Sequence, residues 1–305
     1  MKTKKEVETY LKHFLPPHNV THCETKKHNI LNLPFQISTV GAQLKDGKEI
    51  FAISSSMDDA ISECLKKYAL HARKTELIEG PPYKYCLANG VGIHPDFQRA
   101  SQDAYLELFE RNEILKSWYY NTPVRRIPFN ASDEFTSDFT SQYDLVMVDF
   151  STKSTCHVLG LFGFPKSREF NLIYGFGTAL TLQESTLKAK KEFIKRLGTL
   201  TGENPQSGHL DKKSGLYHQN FYLMPENCNL ISEWVLDHKL EKKKCSMFLA
   251  GKPKFLDITP ESWKPQLHVV KSSCSDLIPL FFGGPPLEIF DFECRCDIPH
   301  PICQN

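Results

Sequence analysis

Two glutamates and an arginine stand close together in a segment of helical periodicity: Glu107, Glu110 and Arg111. Side chains three or four residues apart lie on one face of a helix, so all three would be neighbours. Glu107 stands beside the apolar positions Ala104 and Leu108, and charged groups near a buried face are costly to desolvate. The spacing leaves two interpretations open: a functional cluster, or an ordinary solvated ion pair that contributes little to stability.

A long helix is expected to carry these side chains. Small and apolar residues recur every three or four positions over residues 97–120, which is typical of a helix with one buried face. We predict that a strand at residues 85–91 and a loop containing His94-Pro95 precede this helix. Pro123 and Pro128 should end the unit. The predicted inward stripe consists of Phe97, Ala100 or Ser101, Ala104, Leu108, Arg111, Leu115 and Trp118.

Further helices and strands are expected around it. Helical periodicity covers residues 57–73 and 182–200, and a shorter amphipathic helix covers 4–15. Residues 34–53 favour a hairpin around Lys45-Asp-Gly-Lys48. Other strands are predicted at residues 145–150, 155–162, 171–175, 220–223, 254–258 and 267–271. The mixture predicts an α/β or α+β fold with a mixed sheet, in which residues 1–44 form an extension and 45–305 the main domain.

A longer pattern surrounds the two glutamates. Ala88-Asn-Gly-Val-Gly is followed by Ala100-Ser-Gln-Asp-Ala-Tyr-Leu-Glu-Leu-Phe-Glu-Arg-Asn112 and by Trp118-Tyr-Tyr-Asn121. This order resembles the central signature of the YcaO superfamily, enzymes that use ATP to activate amide carbonyls in peptide backbones. In that family a Ser-Asn-Gly strand end precedes an Ala-rich helix, then Glu-x-x-Glu-Arg-Asp, then Trp and an aromatic residue. The resemblance is specific over residues 88–121.

Weaker matches extend the resemblance from about residue 45 to 301. They are a helix around residues 59–67, a Gly-x-Gly strand and helix over 174–195, the region 218–234, and the closing Pro299-His-Pro301. The last is similar to the Pro-rich tail of azoline-forming members, although the terminal proline of the fullest pattern is absent. The resemblance implies a YcaO-like fold in which long helices line a nucleotide site.

The resemblance also implies cofactors and roles for particular residues. In the family, ATP lies between the helices, and glutamates hold Mg²⁺ on its phosphates. Carried over to this chain, Glu63, Glu107 and Glu110 would face the metal, with Glu107, Glu110 and Arg111 as the catalytic set. The nucleotide site would further contain Lys66, Lys67, Asn89, Glu192 and Lys195. The implied reaction phosphorylates a peptide amide oxygen and leads to an azoline, thioamide or amidine, as in peptide natural-product biosynthesis.

Three lysines depart from the family pattern. Lys66 stands where a second glutamate is expected, Lys67 where the family has arginine, and Lys195 where it has glutamine. Asp59 and Asp103 occupy places where serine is common. A protonated ammonium cannot ligate Mg²⁺, and it repels the ion. These lysines therefore disfavour a two-metal site of the family's kind.

Three interpretations follow from these departures. In the first, Lys66 and Lys195 contact phosphates directly, and the protein is an active enzyme with fewer metals. In the second, the nucleotide site is degenerate, and the protein is a scaffold that binds a peptide or protein. In the third, the pattern is a fold signal with unrelated chemistry.

Composition bears on compartment and partners. The net charge of +1 gives no indication of a nucleic-acid or membrane partner. The sequence shows neither a signal peptide nor an apolar stretch of membrane-spanning length, so we expect a cytoplasmic protein with reduced cysteines. We expect a peptide substrate and a homodimer. Because residues 1–44 are too short for the partner domain that some family members carry in fusion, we also expect a separate leader-peptide-binding protein.

Other candidate chemistry is weak. Cys294, Cys296 and nearby Cys303 lack the second close pair that a zinc site usually needs. Gly283-Gly284-Pro285-Pro286 lacks the lysine and serine of a phosphate loop. The histidines His94, His157, His218 and His268 lie in different segments, and His218 falls within the region of resemblance.

Overall fold

The computed structural model describes residues 4–15, 20–73, 89–131, 135–151, 155–201, 203, 210–212, 214–236, 252–283 and 298–302. Within them lie seven α-helices and ten β-strands. The helices are α1 (Lys4–Leu11), α2 (Met57–Ala72), α3 (Phe97–Tyr120), α4 (Ser137–Gln142), α5 (Leu182–Leu200), α6 (Gly215–Leu223) and α7 (Cys228–Leu236). The strands are β1 (Val20–Ile30), β2 (Leu33–Gln43), β3 (Glu49–Ser54), β4 (Val91–His94), β5 (Arg125–Ile127), β6 (Tyr143–Asp149), β7 (His157–Pro165), β8 (Ile173–Ala179), β9 (Lys254–Asp257) and β10 (His268–Ser273).

The strands form three antiparallel sheets, β1-β2-β3, β4-β10-β9 and β5-β6-β7-β8. The predicted hairpin is confirmed, since Ser38 pairs with Ser54 and Gln43 with Glu49 across the turn. Strands from both sides of residue 44 thus share one sheet. The proposed domain boundary at that residue stays a prediction.

Helix α3 runs through the molecule between two of the sheets, against β4 and β10 on one side and β8 on the other. It begins at Asp96, whose carboxylate accepts the backbone N–H of Arg99, and it ends at Asn121 in the left-handed region. Its bounds and most of its inward stripe are as predicted. Phe97 is the exception: it is exposed in the first turn, where its ring meets that of His268 edge-on.

Helices α2 and α5 flank α3, and both match their predicted ranges. Ser56 and Thr181 cap them by accepting backbone N–H groups of the first turn. Helix α5 lies unusually close to β8. A Cβ built at Gly177 would be 2.3 Å from the backbone nitrogen of Ala189, so the Gly-x-Gly strand is needed for this packing.

Two predicted strands differ from the structure. Residues 220–223 belong to helix α6, because the Ser214 hydroxyl caps a helical turn upstream of them. A short apolar run cannot by itself distinguish a strand from a buried helical segment. The strand predicted at 85–91 is wrong over Asn89 and Gly90, which form a turn; the observed strand β4, Val91–His94, begins at its last residue, and residues 85–88 lie outside the described residues.

Strand β1 has no counterpart in the prediction. It is an edge strand with many polar side chains, paired along its length with β2. Such a strand is stabilised by the ladder of a neighbour, so its own sequence carries little apolar alternation. Cys294, Cys296, Cys303 and residues 284–286 lie outside the described residues. None of the described helices has the length and apolar character needed to cross a bilayer.

Candidate functional site

Helices α2, α3 and α5 and strand β8 surround a cavity of about 440 Å³. The sequence-predicted site residues on its wall are Glu63, Lys66, Glu107, Glu110, Arg111, Glu192 and Lys195. These residues come from three helices that are far apart in the chain. Lys67 and Asn89 are not among the described residues that line it. The long helices therefore meet where the pattern predicted a site.

On the α2 side, Glu63 and Lys66 form a close ion pair. The Lys66 Nζ lies 2.6 Å from Oε1 of Glu63, one helical turn away. Burial raises the pKa of Glu63, but the ammonium groups of Lys66 and Lys195 outweigh it, and the net pKa is lowered. Burial opposes the charge of Lys66 as well, yet Glu63 and Glu107 raise its pKa overall. Both groups are therefore ionised at neutral pH.

On the α3 side, the Glu107 carboxylate has two polar partners, a backbone N–H and a guanidinium. Its Oε2 accepts the backbone N–H of Val91 at 3.1 Å, and its Oε1 lies 3.4 Å from Nη2 of Arg111. The first contact depends on β4 lying close to α3, since a Cβ at Gly92 would come 1.9 Å from the Ala100 carbonyl oxygen. The Gly-Val-Gly segment thus presents a backbone donor to Glu107.

Glu110 has a different environment. Its Oε2 accepts the hydroxyl of Thr178 on β8 at 2.9 Å. Burial raises the pKa of Glu110 above its ordinary value, and this exceeds the opposing effects of Arg111 and Thr178. Among the cavity glutamates with a shifted pKa, Glu110 alone holds its proton more tightly than a free glutamate.

On the α5 side, Glu192 lies between two cations. The Lys195 Nζ is 2.5 Å from Oε2, and Nε of Arg196 is 3.4 Å from Oε1. Burial raises the pKa of Glu192, but these two cations outweigh it and lower the net pKa. Arg196 also lies over the ring of Tyr174, 4.3 Å from the centroid, which holds its guanidinium in place.

The sequence prediction missed three cations of this wall, Lys188, Lys191 and Arg196. The signal was present, because with Glu192 and Lys195 they recur at helical spacing along α5. Lys191 also reaches across to Asp59 on α2, 3.1 Å away. The described wall carries equal numbers of acidic and basic residues: Asp59, Glu63, Asp103, Glu107, Glu110 and Glu192 against Lys66, Arg111, Lys188, Lys191, Lys195 and Arg196.

Lys67 and Asn89 do not line the cavity. Lys67 donates to the carbonyl of Phe51 at 2.8 Å. Asn89 is buried at the turn before β4, and its backbone carbonyl accepts from Lys271 at 2.8 Å. The Lys67 side chain thus supports the backbone of β3, and nucleotide contacts for Lys67 and Asn89 stay predictions.

The segment 298–302 closes one side of the cavity through Ile302. The Tyr222 hydroxyl donates to the carbonyl of Pro299, and Nε2 of His300 lies on the carbonyl of Phe281. His218 contacts the carbonyl of His300 through Nδ1 at 3.1 Å. The Pro-His-Pro segment is therefore a buried part of the core.

Comparison with known protein families identifies the family of this chain. The model described as YcaO cyclodehydratase, ATP- and Mg²⁺-binding, matches residues 68–246, which is more than half of the chain. This chain belongs to the YcaO family. No curated protein gives a significant match.

Solved YcaO structures have the same fold. YcaO from Methanopyrus kandleri, bound with AMPPCP and Mg²⁺, has a TM-score of 0.58 and 14% identity, over 89% of this chain and 90% of that one. A heterocyclase in complex with substrate and cofactor has a TM-score of 0.60 and 13% identity, over 91% of this chain and 53% of the heterocyclase. The E. coli microcin synthetase McbBCD complex has a TM-score of 0.57 and 12% identity, over 84% and 88%. At these identities the likeness shows the fold.

Three glutamates of this YcaO cavity are paired with cations of the same chain, which disfavours a shared metal ion, and the metal role of Glu63, Glu107 and Glu110 stays a prediction. Among the described residues, no three His, Cys, Asp or Glu side chains are grouped to hold an ion. Glu63 and Glu192 instead form ion pairs with Lys66 and Lys195, and Glu107 forms an ion pair with Arg111. Magnesium prefers several hard oxygen ligands in octahedral geometry. The observed arrangement fits phosphate oxygens better than Mg²⁺.

Proposed function

We propose that this YcaO protein binds ATP in the cavity between α2, α3 and α5 and uses it to activate a backbone amide of a peptide. The observation that carries the proposal is that all predicted site residues except Lys67 and Asn89 converge on the same cavity. They reach it from three helices, in a chain whose family is described as ATP-binding. Such convergence is what a phosphoryl-transfer site requires, because it works by positioning and charge stabilisation.

The cations on the wall suit a triphosphate. Lys66, Arg111 and Lys195 have side chains that are 20%, 12% and 13% exposed, so their charges are weakly screened. Charge-assisted hydrogen bonds from such groups to phosphate oxygens are short and strong. The guanidinium of Arg111 is also suited to bidentate contact with a phosphoryl group.

The proposed reaction proceeds in two stages. A thiol or hydroxyl of the peptide bonds to the amide carbonyl carbon, and the carbonyl oxygen becomes an oxyanion that takes the γ-phosphoryl group of ATP, releasing ADP. The C–O bond then breaks and phosphate leaves. The amide nitrogen loses its proton and forms a C=N bond, which gives an azoline. With an external sulfur or nitrogen nucleophile, the same activation would give a thioamide or an amidine.

Glu110 is the residue we assign to proton transfer. Its raised pKa brings it closer to neutral pH than an ordinary carboxyl, which favours general acid–base catalysis. The Thr178 hydroxyl orients it on the cavity wall. In its ionised form it would accept the proton of the attacking nucleophile or of the amide nitrogen.

Calorimetric titration with ATP and magnesium tests the proposal. We expect micromolar binding that is lost in Glu107→Ala, which removes the acceptor of the Val91 N–H. Glu107→Gln retains an acceptor and separates local misfolding from loss of charge. The matched control is Glu233→Ala, since Glu233 is exposed on α7. Absence of binding at millimolar ATP would exclude the enzyme.

One observation favours a second function, that of a catalytically degenerate scaffold. The carboxylates of Glu63, Glu107 and Glu192 are already neutralised by cations of the same chain, so the cavity is electrostatically balanced without a ligand. A scaffold would bind a peptide or protein without consuming ATP. Measuring ADP formation in the presence of the bound partner distinguishes the two functions.

We also propose that a separate protein delivers the peptide substrate, and that the chain works as a cytoplasmic homodimer. One structure with the same fold comes from a multi-protein synthetase complex, which supports a partner. Efficient turnover of a leader-bearing peptide by the purified chain alone would contradict the separate partner. Light scattering of the purified chain tests the dimer.

A further inference from the structure

Two lysines of the cavity wall each contact a glutamate of their own helix, and both glutamates line the cavity. Lys66 contacts Glu63 within α2, and Lys195 contacts Glu192 within α5, at 2.6 and 2.5 Å. Both pairs are spaced by three residues, so each ammonium lies on the same helix face as its carboxylate. The two helices line the same cavity and are joined by the ion pair between Lys191 and Asp59.

These ammonium groups have the position and charge of a counter-ion. An ammonium carries three donors, and a carboxylate occupies one of them in each pair. The remaining donors can reach oxygens of a ligand in the cavity. A cation that touches a glutamate on one side and a phosphate on the other does what a bridging metal ion does.

The same geometry disfavours a divalent ion at these glutamates. A magnesium ion bound to Glu63 or Glu192 would lie within a few ångströms of Nζ of Lys66 or Lys195. Repulsion between like charges is strong where solvent screening is weak, and the two lysine side chains are only 20% and 13% exposed. Metal entry would therefore require at least one ion pair to open.

We propose that Lys66 and Lys195 replace Mg²⁺ as the cations that hold the nucleotide's phosphates, so that this chain binds metal-free nucleoside triphosphate. The inference rests on the proposed function, since it concerns the same cavity. It specifies the ligand as the uncomplexed triphosphate, with Arg111 as a further cation on the α3 side. The family resemblance and the family description would both lead one to expect the magnesium complex.

Calorimetry of the full chain with ATP, once with excess EDTA and once with excess magnesium, tests this inference. We expect the dissociation constant with EDTA to be equal to that with magnesium or up to about 10-fold lower, because excess magnesium complexes the free triphosphate that the chain binds. The double variant Lys66→Glu/Lys195→Gln carries the residues that the family pattern has at these positions. It should bind ATP at least about 10-fold more tightly with magnesium than with EDTA. Lys190→Gln, on the same helix but off the cavity wall, is the control and should behave like the wild type.

Electron paramagnetic resonance with Mn²⁺ alone measures metal binding to the protein independently of ATP. The wild type should leave Mn²⁺ free, and the double variant should bind it. Wild-type ATP binding that collapses in EDTA overturns the inference and leaves the proposed function standing with a metal. Binding in EDTA without ADP formation on a peptide supports the inference and counts against the function. Absence of ATP binding under both conditions overturns both.

Discussion

At the scale of single residues, the cavity glutamates are distinguished by their nearest neighbour. Glu63 and Glu192 have an ammonium within hydrogen-bonding distance, and their pKa values are lowered. Glu110 has a neutral hydroxyl instead, and its pKa is raised by burial. Side chains of one type on one wall thus have different protonation behaviour, because the local charge decides which form is stable.

Glu110→Gln should separate binding from chemistry. The substitution retains the acceptor for Thr178 but cannot take up a proton. We expect ATP affinity to change by less than about 3-fold, while turnover falls by roughly 10²–10⁴-fold, the usual contribution of general acid–base catalysis. ADP release at saturating ATP measures the second quantity, and calorimetry the first.

The pH profile provides a further check on Glu110. A base must be deprotonated to act, so activity should rise with pH through the elevated pKa of Glu110. The acid limb should lie above the pH at which an ordinary glutamate titrates. An acid limb near the ordinary glutamate pKa would contradict the assignment.

His218 gives a prediction about stability. Burial lowers its pKa to about 4 from an ordinary 6.5, although the contact of Nδ1 with the carbonyl of His300 opposes this shift. Between these values the unfolded chain binds more protons than the folded one, so the free energy of unfolding falls as pH drops from about 6.5 to 4. The effect is at most roughly 3 kcal/mol.

Urea denaturation at several pH values measures this effect. His218→Gln should show a flatter dependence than the wild type over that range. The control is His28→Gln, on the surface strand β1. Parallel pH curves for the wild type and His218→Gln would contradict the prediction.

At the scale of elements, the long helices α2, α3 and α5 and the first helix α1 were predicted, whereas the short helices α4, α6 and α7 were not. Many turns of consistent periodicity identify a long helix, and caps such as Asp96 and Thr181 mark its ends. A nine-residue helix such as α6 carries too few periods to be distinguished from a strand. Strand β1 was not predicted, because it is stabilised by pairing with β2 and not by a pattern in its own sequence.

Gly177→Ala tests how closely α5 lies on β8. The new Cβ would be 2.3 Å from the backbone nitrogen of Ala189, so the helix must shift, at a cost of roughly 1–3 kcal/mol. The shift would also move Glu192 and Lys195, so ATP affinity should fall together with stability. Leu187→Ala, on the exposed face of the same helix, should change stability by less than about 0.5 kcal/mol. An unchanged melting temperature in Gly177→Ala would contradict this packing.

At the scale of the whole molecule, segments distant in sequence complete the core. Residues 298–302 are held by α6, and Trp234 of α7 donates to Ser117 of α3 at 2.9 Å. Trp118, which the family pattern includes, is fully buried and packs edge-on against Trp234. Its place in the motif therefore reflects packing around α3.

Tyr222→Phe tests whether the Tyr222 hydroxyl anchors the segment 298–302. The substitution leaves the buried carbonyl of Pro299 without its donor, which should cost about 1–3 kcal/mol in the free energy of unfolding. Because Ile302 lines the cavity, ATP affinity should weaken as well. Tyr217→Phe on the same helix is the control. Equal stability of the two variants would contradict the anchoring role.

The sequence by itself determined the family, the long helices and the shared face of Glu107, Glu110 and Arg111, because backbone periodicity sets those distances locally. It also showed the lysine substitutions, but left open whether Glu107 and Arg111 form a functional cluster or an ion pair. The tertiary structure places them as a partly buried ion pair on a cavity wall, and their functional role stays a prediction. It also showed that Glu63 and Glu192 line the same cavity and that each forms an ion pair with a lysine, Lys66 or Lys195. That convergence depends on contacts between distant segments, which no local pattern encodes.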